Sequence, residues 1–135
     1  MTFLLDTNIC IVAMNDVVGQ TRTRLREEAR KGSDVFVSAV TVFELFFGAR
    51  KSKRQERNIA KMRGFLQLLK QAHLEPEDAE AAGTLCAELQ LRGQPIGAYD
   101  YLIAGQALRR GLTLVTDNER EFRRVAGLKI ENWVR

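Results

Sequence analysis

Histidine and cysteine are scarce in these 135 residues: His73 is the single histidine, and Cys10 and Cys86 are the only cysteines. That scarcity excludes a zinc site, which draws its ligands from those residue types. It also leaves no Cys–His pair for nucleophilic catalysis. Both cysteines sit in apolar stretches, and their spacing argues for reduced, buried thiols rather than a disulfide. Neither a Walker A loop nor a dinucleotide fingerprint is present, so no glycine-rich phosphate cradle is available. No apolar run approaches the roughly 20 residues that span a bilayer. The opening MTFLLDTNICIVAM has no basic leader, and Asp6 interrupts its apolar run, which excludes a signal peptide of the usual kind. The expectation is a cytoplasmic protein.

What remains has the balance of a globular domain, 45% hydrophobic and 28% charged. A chain of this length buries roughly two-thirds of its unfolded surface and needs no disulfide or structural metal. One domain over residues 1–135 is expected. The net charge of +4 is mild, but it is unevenly spread. Segment 50–63, RKSKRQERNIAKMR, holds seven basic residues and one acid, whereas 75–80, EPEDAE, is acidic. Such separation suits a polyanionic partner and equally suits a solvated helix face.

Short apolar runs alternate with helical patterns. Strands are expected at 3–5, ending at Asp6, and at 35–37, 73–74, 112–115 and 128–130. Helices are expected at 7–14, 20–31, 40–48 with Ser38 as cap, 53–69, from Pro76 to Leu91, from about Asp100 to Arg110 with Gly111 as C-cap, and at 119–125. The stretch RGQPIGAYD is a loop. Short buried strands alternating with helices imply an α/β fold, with a short parallel sheet between helices on both faces. Ligand sites in such sheets lie at the carboxyl ends of strands, where Asp6 and Asp117 are expected.

Three acids stand in apolar surroundings with no Lys or Arg beside them. Asp6 ends an apolar strand. Glu44 lies among Val40, Val42, Phe43, Leu45, Phe46 and Phe47, and Asp100 among Tyr99, Tyr101, Leu102 and Ile103. Desolvated carboxylates without a partner call for an external cation. Asp100 has a second reading as a helix N-terminal acid, and Asp117 as a turn residue; Glu44 has neither alternative. Oxygen-only ligands point to Mg2+ or Mn2+. Such a site activates water and neutralises charge on a phosphodiester.

Four blocks, FLLDTNI, SAVTVFELFFGA, RGQPIGAYDYLIAGQALRRG and LVTDNEREFRRVAGLKIENW, occur in an order and spacing that resemble the VapC toxins of bacterial toxin–antitoxin pairs, which are PIN-domain ribonucleases. The resemblance spans nearly the whole chain. It implies a three-layer α/β/α sandwich and Mg2+-dependent cleavage of RNA by a metal-activated water, with Mn2+ able to substitute. By that resemblance Asp6, Glu44 and Asp100 are the catalytic, metal-binding acids. Asp117 is the fourth, with Glu121 as its rival. Thr7, Asn8, Thr116 and Asn118 would orient the acids, the water or the substrate. The RGQPIG and REF-RV-GL blocks resemble those of VapC toxins that cut initiator transfer RNA in the anticodon loop. A VapB-type antitoxin and a homodimer are the implied partners. An apolar groove built from Ile9, Val12, the 40–49 helix and the 53–69 helix would receive the antitoxin. Arg50, Lys51, Lys53, Arg54 and Arg57 are expected to touch RNA phosphates.

Other classes fit less well. A haloacid-dehalogenase-type phosphatase needs a second Asp two residues after the first, where this chain has Asn8. A receiver domain needs a paired acid near Asp6 and a late lysine, and both are missing. The remaining alternative is a non-catalytic module that holds RNA or a partner on the same fold.

Overall fold

The computed structural model describes residues 1–135. Five parallel strands form one sheet: β1 (Thr2–Leu5), β2 (Asp34–Ser38), β3 (Lys70–Ala72), β4 (Thr113–Val115) and β5 (Ile130–Glu131). Their order is β3-β2-β1-β4-β5. The chain winds outward from β1 on one side, then returns to lay β4 along its other edge. The register sets Phe3, Leu4 and Leu5 against Val35, Phe36 and Val37 on one side and against Thr113, Leu114 and Val115 on the other.

Seven helices cover the sheet: α1 (Thr7–Asn15), α2 (Gln20–Arg30), α3 (Ala39–Lys51), α4 (Gln55–Leu66), α5 (Pro76–Leu91), α6 (Ala98–Arg110) and α7 (Glu119–Phe122). Side chains alternate across a strand, so the apolar run of β1 feeds two cores. Phe3 and Leu5 join Val35, Val37 and Val115 beneath α1 to α4. Leu4 and Leu114 join the buried faces of α5, α6 and α7. The three-layer α/β/α arrangement expected from the alternating pattern is therefore present.

Local chemistry fixes the helix ends. The Asp6 carboxylate accepts the Ile9 N–H at 2.8 Å and caps α1. Ser38 Oγ accepts the Val40 N–H at 3.0 Å and caps α3. Gly111 closes α6 in the left-handed region, φ 65°, where a side chain is disfavoured. Asp78, fully buried, accepts from the Glu75 N–H, from Arg109 at 2.7 Å and from Arg110 at 2.6 Å. It ties the start of α5 to the end of α6. Midway along that pair a Cβ on Gly105 would fall 2.8 Å from the Ala82 Cα, so the two backbones touch.

Several expected details differ. The third strand lies at Lys70–Ala72, not 73–74. It is an edge strand with Lys70 and Gln71 exposed and Ala72 alone facing the core, so it carries almost no apolar signal; His73 follows it, exposed. The helix expected over 53–69 is shorter, Gln55–Leu66, with a turn after it that keeps Leu69 packed on the core. The last helix stops at Phe122 and β5 begins at Ile130. Cys10 is buried, but Cys86 is only half-buried on α5. The acidic 75–80 segment is in part structural, since Asp78 is the buried anchor just described.

Candidate active site

The sheet order reverses at β1, and the crevice at such a reversal, at the carboxyl ends of the strands, is where open parallel sheets bind ligands. The end of β1 meets the end of β4 there: the Asp6 N–H donates to the Val115 carbonyl at 3.0 Å. Asp6 is 4% exposed. Burial pushes its carboxyl up to about 6, against the lowering effect of the Thr116 hydroxyl and the Ile9 N–H, and the charges of Glu44 and Asp117 add to the rise. Thr116 is itself oriented, because its Oγ1 accepts the Asn118 N–H at 2.9 Å.

Asp100 enters from α6. It stands in the first turn, three residues after Gly97, which begins the helix without a side-chain cap. The Tyr101 hydroxyl accepts the Ile96 N–H at 3.0 Å and pins the preceding loop to the helix. Burial also pushes the Asp100 carboxyl up to about 6, followed by the charges of Asp6, Glu44 and Glu121. The carboxylate leans back over Gly97, and a Cβ there would lie 2.8 Å from Asp100 Oδ2.

Glu44 comes from α3 and is half-buried, more open than its apolar neighbours imply. The reason is that α3 does not bury its whole circumference. Phe43 and Phe47 are 51% and 57% exposed. The Thr7 hydroxyl donates to Glu44 Oε1 at 2.7 Å, and the Thr41 oxygen lies 3.0 Å from that of Thr7. With Thr7's one proton given to the acid, Thr41 is left to donate to Thr7. This short chain fixes Glu44 across the mouth of the crevice.

The two rivals for the fourth acid both border the cluster. Asp117 is exposed and accepts from Asn132 Nδ2 at 2.9 Å, with Arg135 3.7 Å away. Its charge bears on Asp6. Glu121 is half-buried, accepts from Asn118 Nδ2 at 2.7 Å, and bears on Asp100. Thr7, Thr116 and Asn118 thus each hold or orient an acid, while Asn8 is exposed at the start of α1. Arg50 and Lys51 end α3, Lys53 and Arg54 occupy the turn after it, and Arg57 opens α4; all are exposed. About six residues of helix, ~9 Å, separate Glu44 from Arg50.

No three of these side chains close around a single point as a direct metal cage. The donor set nevertheless fits a hard divalent cation. Mg2+ keeps several waters and is held by one or two carboxylates directly, the rest acting through water. Asp6 and Asp100 are desolvated, raise each other's cost of ionisation, and have no Lys or Arg ion pair. A cation is what such a pair lacks.

Two further features adjoin the acids. An apolar groove between α1, α3 and α4 is lined by Ile11, Met14, Leu45, Ala49 and Met62, and Glu44 stands at its wall. It differs from the groove expected from sequence: Ile9 is buried in the core, and Val12 borders a separate pocket near α2. The second feature was not foreseen as a patch. Tyr99 of α6 packs edge-on against Phe43 at 5.3 Å, and Phe43 stacks with Phe47 at 6.4 Å, giving an exposed aromatic cluster next to Glu44 and Asp100 in sequence. The exposed Phe43 and Phe47, together with Tyr99, were its only sequence signal.

A parallel five-stranded sheet with acids converging at its switch point defines a class, and the PIN domain family matches residues 3–128. The tRNA(fMet)-specific endonuclease VapC of Shigella flexneri is 41% identical over 133 residues, 98% of each chain. Ribonuclease VapC2 of Haemophilus influenzae is 41% identical over 99% of each. Among solved structures, VapBC2 from Rickettsia felis bound to a promoter DNA fragment superposes with a TM-score of 0.93 at 36% identity, covering 98% of this chain and 99% of that one. DNA-bound VapBC from Salmonella typhimurium gives 0.91 at 39%, covering 98% of each. The chain belongs to the PIN-domain family, in its VapC ribonuclease branch.

Proposed function

We propose that this chain is a divalent-metal-dependent endoribonuclease, the toxin of a type II toxin–antitoxin pair, and that it cleaves transfer RNA, with the anticodon loop of initiator tRNA as its target. The observation that carries the reading is the cation-free pair Asp6 and Asp100 at the sheet's switch point, with Glu44 fixed beside them. The two raised carboxyls and their mutual repulsion are the signature of a site built around a missing positive charge. Asp6 and Asp100 would hold the metal, and Glu44 with Asp117 or Glu121 would complete its surroundings. Mg2+ or Mn2+ bound there makes a water nucleophilic at neutral pH and offsets charge on the phosphodiester. Thr7 and Thr116 hold the acids in place. Water adds to phosphorus, the bond to the 3′ oxygen breaks, and a 5′-phosphate and a 3′-hydroxyl remain. The relative from Shigella flexneri is named for action on tRNA(fMet), which supports the choice of substrate.

The partner in this reading is a VapB-type antitoxin whose apolar tail fills the α1–α3–α4 groove and whose basic side chain reaches Glu44. The Rickettsia and Salmonella relatives were solved as VapBC assemblies, which supports that choice. A homodimer and a cytoplasmic location belong to the same reading. No helix is long and apolar enough to cross a membrane.

Replacing Asp6 or Asp100 by Asn removes a charge and keeps the side-chain size. Each variant is expected to lose cleavage of RNA while melting as a folded protein. Wild-type cleavage rates in either purified variant would refute the site.

A further inference from the structure

A second charged surface adjoins the acids and is not the basic 50–57 segment. The loop after α5 and the short α7 form a shallow concavity lined by Arg92, Gln94, Arg120, Arg123 and Arg124. Four guanidiniums share this surface, and one has a carboxylate partner: Arg123 with Glu119 at 2.9 Å. Arg124 donates to the Pro95 carbonyl at 2.7 Å, and Arg92 donates to the Arg124 carbonyl at 3.0 Å. Those bonds fix two cations in position without neutralising them, because a carbonyl offers a dipole and no charge. Each guanidinium keeps further N–H donors free. Arg120 has no ion pair and no hydrogen bond. Arginines held close together without acids repel one another, and their planar forks match phosphate oxygens.

The surface is continuous with the catalytic cluster. Pro95, which Arg124 holds, lies in the loop that leads to Gly97 and Asp100. Arg120 immediately precedes Glu121, whose charge is felt at Asp100. We propose that Arg92, Arg120 and Arg124 form a docking surface for the backbone phosphates of the RNA strand that flank the one being cut. This rests on the nuclease reading above and adds where the strand runs: from the acids across α7 and the 92–97 loop. By contrast, Lys53, Arg54 and Arg57 make no hydrogen bond that holds them in place, and Lys51 packs over the Phe47 ring at 5.0 Å.

The test uses the full chain with fluorescein-labelled single-stranded RNA of the anticodon-loop sequence. Binding is followed by anisotropy across a salt series in the Asp6→Asn background, which prevents cutting. Arg92→Gln with Arg120→Gln, both exposed positions, should lower the salt slope of log Kd by roughly 1.5 to 2, about one per lost phosphate contact or slightly less. Lys51→Gln with Arg54→Gln should lower it less. In the otherwise wild-type chain the arginine pair should raise KM for RNA cleavage about tenfold and spare kcat, as loss of uniform binding does. Arg124→Lys, which keeps the charge and a donor for Pro95, should bind RNA nearly as the parent does, whereas Arg124→Gln should not. An unchanged slope in the arginine pair, with RNA still cut by the wild-type chain, would overturn the docking surface alone. Loss of antitoxin binding instead of RNA binding would do the same. A wild-type chain that neither binds nor cuts RNA would overturn both readings.

Discussion

Asp100 depends on a residue that has no side chain. Its carboxylate occupies the space into which a Cβ at Gly97 would project, 2.8 Å away. The Gly97 backbone is ordinary, φ −60°, so what the position requires is room. Gly97→Ala should push the carboxylate aside, lowering cleavage about tenfold or more, the scale of losing a ligand's support. Its stability cost should stay near 1 kcal/mol, the usual effect of Ala at a helix N-cap. Cleavage rates beside a thermal melt check this, and an unchanged rate would remove Gly97 from the account. The raised carboxyls make a second prediction. Asp6 and Asp100 bind protons more tightly in the folded state, near 6, than in the unfolded chain, near 3.8. Their contribution is therefore full below about pH 4 and is lost as pH rises through 6. Asp78 runs the other way: burial would raise its carboxyl, but Arg110 and Arg109 hold it well below the usual range, so its contribution is lost only in stronger acid. Metal-free protein should melt highest near pH 5 and lower at 7.5, with Mg2+ recovering the difference and Asp6→Asn flattening it. A metal-free melting temperature as high at 7.5 as at 5 would contradict the cluster. The acids were legible in sequence because a carboxylate in an apolar run is conspicuous. Gly97 was not, because only the folded geometry shows what its missing Cβ avoids.

The α5–α6 pair carries Asp100 on one layer of the sandwich, and its packing rests on Gly105 against Ala82. Gly105→Ala would set a methyl 2.8 Å from backbone that has no flexible end to move. It should cost roughly 1–3 kcal/mol, the usual range for overpacking, read as a lower denaturation midpoint with the slope unchanged. A neutral result would mean that the helices separate freely. The same elements show what the sequence carries well. Helices with clear caps, α1 from Asp6, α3 from Ser38 and α6 closing at Gly111, were readable nearly to the residue. Their boundaries depend on local hydrogen bonds that the residue types announce. The edge strands β3 and β5 were misplaced by two or three residues. A strand paired on one side with a single buried side chain has neither the alternation nor the apolar run that marks β1. The Asp78 anchor was hidden for a similar reason. Its partners Arg109 and Arg110 are distant in sequence, and within EPEDAE it is one acid among four.

Across the whole molecule, the acids sit between two surfaces suited to other chains: the groove of α1, α3 and α4, and the aromatic cluster of Phe43, Phe47 and Tyr99. Clustered exposed aromatics mark protein interfaces, and the homodimer reading assigns this cluster to a second copy. Phe43→Ser with Phe47→Ser should convert a dimer to a monomer by light scattering while leaving the fold intact; a dimer that persists would move the interface elsewhere. Met62→Glu, in the groove, should weaken capture of the antitoxin at least tenfold while RNA cleavage by the free chain continues, a split that pull-down and cleavage assays resolve. Composition alone could not separate these surfaces, because Phe43 and Phe47 read as core until α3 was seen to leave one side open. The central claim is that these carboxylates bind a divalent cation and cut RNA. It is tested most directly by incubating the purified chain with initiator tRNA in Mg2+, in EDTA, and in EDTA followed by excess Mn2+, and mapping the products on a sequencing gel. The account predicts one cut in the anticodon loop with Mg2+, none in EDTA, and the same cut restored by Mn2+. Intact tRNA in Mg2+, or an undiminished cut in EDTA, would contradict it.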